Sequence, residues 1–447
     1  MKRFFTITII IFSLTANAQN PAKQNFSFSL QQAIDHAVKN NYKSINANRD
    51  IDISKEKKWE TTAMGLPQIN GSIGYLNNIV IQKSLIPAEV FGGPAGTFAE
   101  VAFGTNQNAS ASVSLSQLIF DGSYIVALQA SKAYLEYFVN AKKKNDVEIR
   151  EMIINTYGNV LLAEESIKIL ESNKKILDKN YNDVNQIYKN GLGEQEAVEQ
   201  IAITQATVNS SLKNVTRLRE ISLKMLKINI GIDINDDLIL TDNLDNLSKS
   251  NLALFADVSE FKVDNNIDYQ IVSSLVTQKR LLLKLEKAKA LPSLGAAFNL
   301  GANAFSQEFT FLNGNQRWFN YSNVGVNLNI PIFSSLARRS RTAQAKIAFE
   351  QSQTQQKEVE QMLKLGYEKA KSDFDFSIEE YATAKSNLNL AERIEKKQQI
   401  KFKEGLSTSF EFSEAQRQLY ATQQTYLQSM VDIINKKAAL EKLTIAP

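Results

Sequence analysis

The chain has 447 residues, 22% of them charged and 43% hydrophobic, and it contains no cysteine. That length exceeds one ordinary compact domain, and the balance excludes both a disordered chain and a bundle of membrane helices. The net charge of +4 falls to about +2 once Lys2 and Arg3 are removed with a leader, too even for a nucleic-acid partner, and the missing cysteine excludes disulfides and lipidation at that residue.

The first 18 residues join a basic start (Lys2, Arg3), an apolar run from Phe4 to about Leu14 and the small-residue site Ala16-Asn17-Ala18. This predicts a secretory signal peptide over 1–18. The segment FSLQQAIDHAVKNN (28–41) comes next as a short amphipathic helix, with Leu30, Ala33, Ile34, Ala37 and Val38 on one face. A helix over about 44–66 ends at Leu66-Pro67, where strict alternation begins. Ile69, Ile73 and Tyr75 oppose Asn70, Ser72 and Gly74, a strand over about 67–78. A second strand, about 107–119, sets Ser110, Ser112, Ser114 and Ser116 against Ala109, Ala111, Val113 and Leu115.

From Gly122 to Lys189 there is no proline and one interior glycine, Gly158. A helix of that length spans roughly 100 Å at 1.5 Å per residue. Leu170, Leu177 and Val184 recur at seven, as a helix packed sideways on others requires. The turn KNGLGEQ leads to a helix over about 194–230. Residues 231–262 then break both periods, with a short strand at Leu238–Leu240; the connection to the second half of the chain is placed at 241–262. Beyond it come a helix over 263–291, strands over about 292–305 and 321–331, and a second long helix over 336–403. In that helix Tyr367, Phe374, Tyr381 and Leu388 interleave with Ala370, Ser377, Ala384 and Ala391. The turn KEGLSTS and a helix over 410–443 complete the pattern.

The chain is written twice. Pro292 stands where Pro67 stood, Phe333 where Phe120 stood, and Gly405-Leu406 where Gly191-Leu192 stood, at offsets of 225, 213 and 214. The first repeat is assigned to 19–240 and the second to 263–447; the drift of 12 falls in one hairpin loop. All four strands carry Ser, Asn and Gly on one side and apolar residues on the other, which suits a wet lumen and a lipid face. Tyr75, Phe305, Phe309, Phe311, Trp318, Phe319 and Tyr321 gather near the hairpin ends, as an interfacial girdle would. Four strands cannot close a barrel, and an open edge in lipid leaves polar groups unpaired. The strands must therefore be pooled among copies, most simply by cyclic symmetry.

With the leading SLQQAIDHAVKNN, the two Leu-Pro strand entries, SQLIFDGS and NIPIF ahead of long helices, and the twin Gly-Leu turns, the chain resembles the TolC-like outer-membrane efflux proteins over essentially its mature length. The resemblance implies a mainly α protein with membrane β structure. Three copies would form a shared 12-stranded β-barrel and an α-barrel of long antiparallel coiled-coil helices in the periplasm. It implies a passive trimeric duct for a tripartite efflux or type I secretion system, whose partners are outer-membrane lipid, a periplasmic adaptor and an inner-membrane pump. Ser110, Ser112, Ser114, Asn299 and Asn327 would face the lumen. Gly191, Leu192, Gly405 and Leu406 would form the periplasmic tip that meets the adaptor. Acidic side chains come just after the turn in this family; Glu411 and Glu414 match those positions, while the first repeat has Ala197 at the equivalent place and offers Glu196 and Glu199 instead. A carboxylate ring would favour cations. The alternative is an envelope coiled-coil tether or adhesin, which explains the helices but not the uncharged polar strand faces. His36 is the only histidine, and no phosphate-binding loop, nucleophile elbow or zinc motif occurs, so no enzyme activity, metal or cofactor is expected.

Overall fold

The computed structural model describes residues 23–253 and 261–444. The expected leader, 1–18, lies outside the described residues, as does part of the connection between repeats. In chain order the elements are β1 (Asn25–Phe28), α1 (Leu30–Asn40), α2 (Tyr42–Ala63), β2 (Gln68–Asn77), β3 (Lys83–Pro87), β4 (Phe98–Ala102), β5 (Gln107–Asp121), α3 (Gly122–Lys189), α4 (Gln195–Ile230), β6 (Asp237–Leu240), α5 (Leu244–Ala253), α6 (Ile267–Ala288), β7 (Ser293–Ser306), β8 (Trp318–Asn329), α7 (Ala337–Lys403) and α8 (Ser409–Thr444). The order helix, strand, strand, long helix, helix thus occurs twice. No described helix is long and apolar enough to cross a membrane. The chain divides into two units, crossing between them after residues 45, 145, 260, 367 and 443.

The first unit is built from α1, the distal part of α3, α4, the distal part of α7 and α8, with a two-stranded parallel sheet of β1 and β6. Ser29 opens α1 with a capping box, its hydroxyl accepting the Gln32 N–H while the Gln32 side chain accepts the Ser29 N–H. Tyr157 of α3 is fully buried, and its hydroxyl lies 3.0 Å from both the Phe28 carbonyl and the Asp242 carboxylate. Asp242 also accepts the Leu30 N–H at 2.6 Å, so one carboxylate ties the end of β1 to the segment after β6. The heptad line of α3 is the seam: Leu170, Leu177 and Val184 are buried against Ile201 and Val208 of α4. In α7, Phe374, Ser377, Tyr381, Ala384 and Ala391 are all buried, large residues alternating with small ones as knobs with holes.

The second unit holds α2, the proximal parts of α3 and α7, α6 and the main sheet. That sheet is antiparallel with strand order β2-β5-β7-β8. Its two outer strands, β2 and β8, have no partner on their free sides among the described residues. A register shift between Leu118 and Phe120 ends the regular pairing of β5 close to its helix. Here the structure departs from the sequence reading in three places. β8 begins at Trp318 and pairs it with Ala304, because Trp318 and Phe319 are good strand formers, and it ends before Pro331, which cannot donate to a ladder. The longer loop of the first repeat contains the hairpin β3–β4, paired from Lys83↔Ala102 to Pro87↔Phe98. The segment read as connection contains α5, and the strand expected at Leu238–Leu240 is β6, paired to a partner 212 residues earlier.

Candidate functional site

The turn after each long helix is a Schellman motif. The Leu192 N–H reaches the Ile187 carbonyl at 3.0 Å and the Gly191 N–H the Tyr188 carbonyl at 2.9 Å; Leu406 and Gly405 repeat this onto Lys401 and Phe402 at 2.8 and 3.1 Å. Both glycines are left-handed, with φ of +76° and +71°. Leu192 and Leu406, which such a motif often folds back onto its helix, are instead 81% and 77% exposed. The structure brings the two turns together: Leu192, Gly193, Gly405 and Ser407 line one cleft of about 470 Å³, floored by Val184, Phe402 and Phe412. Phe402 and Phe412 stack 5.2 Å apart and clamp α7 to α8 just inside the turn.

The acidic residues differ in their bonding. Glu411 belongs to a capping box at the start of α8: the Thr408 hydroxyl accepts the Glu411 N–H, and the Glu411 carboxylate accepts the Thr408 N–H at 3.0 Å. It also accepts the Ser407 hydroxyl at 2.7 Å, and these two donors, Ser407 foremost, hold its carboxyl below the usual range. The sequence signal for this box is the Thr-x-x-Glu spacing of Thr408 and Glu411, which a reading for charge alone passes over. Glu414 is exposed and pairs with Arg417. In the first repeat Glu196 and Glu199 are exposed and accept from Gln200 and Gln195 at 3.0 and 2.7 Å, and Glu194 occupies the N-cap without a side-chain bond. Farther from the turn, burial raises the carboxyl of Glu395 on α7.

The main sheet, in the other unit, carries the second group of expected residues. Register pairs Ser110 with Gly74 and Asn303, Ser112 with Ser72 and Gly301, and Ser114 with Asn70 and Asn299. Asn299 opposes Asn323 and donates to it at 2.9 Å, while Asn327 opposes Gly295 on the same side. All five expected residues therefore share one face. A Cβ placed on Gly74 would lie 2.9 Å from the Ser110 hydroxyl, which fixes the direction of that serine. Ile69, Leu115, Phe298 and Val324 make up one row of the opposite face. Ile73, on that face, is 92% exposed. The aromatics do not form one girdle: Tyr75 and Trp318 lie on the apolar face, but Phe305, Phe319 and Tyr321 share the parity of Asn299 and fall on the serine side. Sequence clustering near hairpin ends could not separate them, since the faces exchange at every residue.

Residues 276–444 match the outer membrane efflux protein family. None of the curated proteins matches the chain. Among solved structures, the CusC channel is 16% identical and superposes with a TM-score of 0.74 over 94% of this chain and 92% of its own. The Campylobacter jejuni outer-membrane channel CmeC, 16% identical, gives 0.71 over 93% and 85%. The Neisseria gonorrhoeae outer-membrane channel MtrE, in its open state and 16% identical, gives 0.70 over 93% and 88%. Residues 276–444 thus carry the pattern of the outer membrane efflux protein family, and the chain as a whole shares the fold of these channels.

Proposed function

We propose that the protein is a passive homotrimeric duct, the outer-membrane component of a tripartite efflux or type I secretion system. The observation that carries this reading is the four-stranded sheet with two unpaired outer strands, one Ser/Asn/Gly face and one exposed apolar face. An open sheet with an apolar face is stable in lipid only when its edges are paired, and three copies supply twelve strands for a closed barrel. The serine face then lines water and the Ile/Leu/Val face meets lipid. The helices extend into the periplasm. The paired turns, with exposed Leu192 and Leu406, form the end that meets an adaptor linked to an inner-membrane pump, and Glu411, Glu414, Glu196 and Glu199 stand beside that opening, where three copies make a carboxylate ring. The two acids of the second repeat are already bonded within their own chain, so Glu414, held only by the exposed Arg417, is the freer of the two to move.

The test is the native mass of detergent-solubilised protein from outer-membrane fractions, followed by conductance in planar bilayers. A trimer that forms ion-conducting pores is expected. A monomer without conductance overturns the proposal and leaves the tether reading.

A further inference from the structure

The serine face is not uniform along its strands. Toward the helices it carries Ser114, Asn299, Asn323 and Asn327; toward the loops 78–106 and 307–317 it turns aromatic. The β7–β8 ladder runs without a register shift, so Phe305, Phe319 and Tyr321 stand on the asparagine side. Contacts confirm the placement. A Cβ on Gly301 would lie 2.6 Å from Cζ of Tyr321, so that ring covers the glycine directly. The rings of Phe305 and Phe319 are 5.9 Å apart, and the guanidinium of Arg317 sits over Phe319 at 5.0 Å from its centroid. The loop holds this group in place: Gln316 donates to the Phe305 and Arg317 carbonyls at 3.5 and 3.1 Å and accepts from Thr310.

Phe305 and Phe319 are each 47% exposed, on a face otherwise made mostly of Ser, Asn and Gly, with Leu76, Ala297 and Leu118 as its aliphatic residues. Aromatic carbon exposed on an aqueous face marks a surface that gains by being covered. The charge at this end is equally unmatched. From Gln68 to Asn77, Gln107 to Leu118, Ser293 to Ser306 and Trp318 to Asn329 there is no charged residue; the loop 307–317 adds Glu308 and Arg317, and Arg317 makes no ion pair among the described residues. A guanidinium stacked on a ring keeps its N–H edge available to an oxyanion.

We propose that Phe305, Phe319, Tyr321 and Arg317 form a solute subsite at the loop end of the pore, selective for amphipathic anions with a flat aromatic body and a carboxylate or sulfonate group. The inference rests on the serine face being the lumen wall. The rings take the apolar body by stacked and edge contacts, and Arg317 takes the anionic group. Solutes lacking the aromatic body pass this end without pausing, and those lacking only the anionic group pause more briefly.

The test is single-channel recording of the purified protein in planar bilayers with 2-naphthalenesulfonate added to both sides. Transient current blocks are expected, with dwell times at least tenfold shorter in the double variant Phe319→Ala/Tyr321→Ala. Arg317→Gln shortens the blocks by naphthalenesulfonate but not those by neutral 2-naphthol. Gly301→Ala, which keeps every aromatic but displaces the Tyr321 ring, shortens both. Equal dwell times in wild type and the double variant, or equal block by methanesulfonate, overturn the subsite while leaving the duct intact. A wild-type protein that forms no pores overturns the duct reading, and the subsite with it.

Discussion

At the scale of a residue, Glu411 shows how one carboxylate serves a helix and an opening together. Its carboxyl is lowered by the Ser407 hydroxyl and the Thr408 N–H, both bonded to the charged form. A lowered folded value means that its contribution is complete above the ordinary value of 4.5 and is lost as the pH falls through the lower folded value. The first turn of α8 is therefore expected to loosen below about pH 4.5, whereas the Glu411→Gln variant, whose amide oxygen can still close the box as Gln32 does in α1, stays closed and is insensitive over the same range. Hydrogen exchange of the amides of 408–412, corrected for intrinsic rate, reads this directly. An unchanged pH profile in the variant shows that another group governs the turn. Exchange of the matching amides at 194–198 serves as the control, since no side chain caps α4.

At the scale of an element, three glycines separate conformational need from space. Gly405 has φ +71° and open space where a Cβ would stand, so Gly405→Ala costs only the left-handed strain, about 1 kcal/mol. Gly231, with φ +87°, would place its Cβ 2.2 Å from the Asn40 carbonyl oxygen, so Gly231→Ala also forces the α4 terminus off α1 and costs several times more. Gly158 is a buried helical residue whose Cβ would meet Val431 at an ordinary 3.6 Å; Gly158→Ala is expected to stabilise by about 0.5–1 kcal/mol through helix propensity. Thermal unfolding midpoints of the three variants should rank Gly158→Ala above wild type, then Gly405→Ala, then Gly231→Ala. The reverse order for Gly158 means that α3 and α8 pack too tightly there to admit a methyl group. The long helices and both turns were legible because proline and glycine punctuate them and heptads run between. The β1–β6 pair was not, because its two strands are four residues each and 212 apart, and nothing local records such a pairing.

At the scale of the whole molecule, the four strands were legible as alternation, and most of their polar residues fall on one face once register is applied, Asn77, Asn320 and Ser322 standing on the other. Which way the loop-end aromatics point was not, because a cluster of Phe, Trp and Tyr has the same composition whichever face it occupies. The sidedness of the sheet is open to direct test, because the chain has no cysteine and every introduced thiol reports alone. Cysteines at Ser110, Ser112 and Asn299 should react with a membrane-impermeant maleimide in outer-membrane fractions. Cysteines at Ile69, Val113 and Val324, which occupy the other face of the same sheet, should react only after detergent extraction. Within β5 the comparison is between positions about 3.4 Å apart along the backbone, so neither depth nor expression explains a difference. Alternating labelling fits only a sheet with water on one face and hydrocarbon on the other, and a sheet of four strands meets that condition only after pooling with its copies. Uniform labelling of both faces would mean that the apolar side of β2, β5 and β8 is covered by protein or bare to solvent, and the barrel would have to be abandoned whatever the fold resembles.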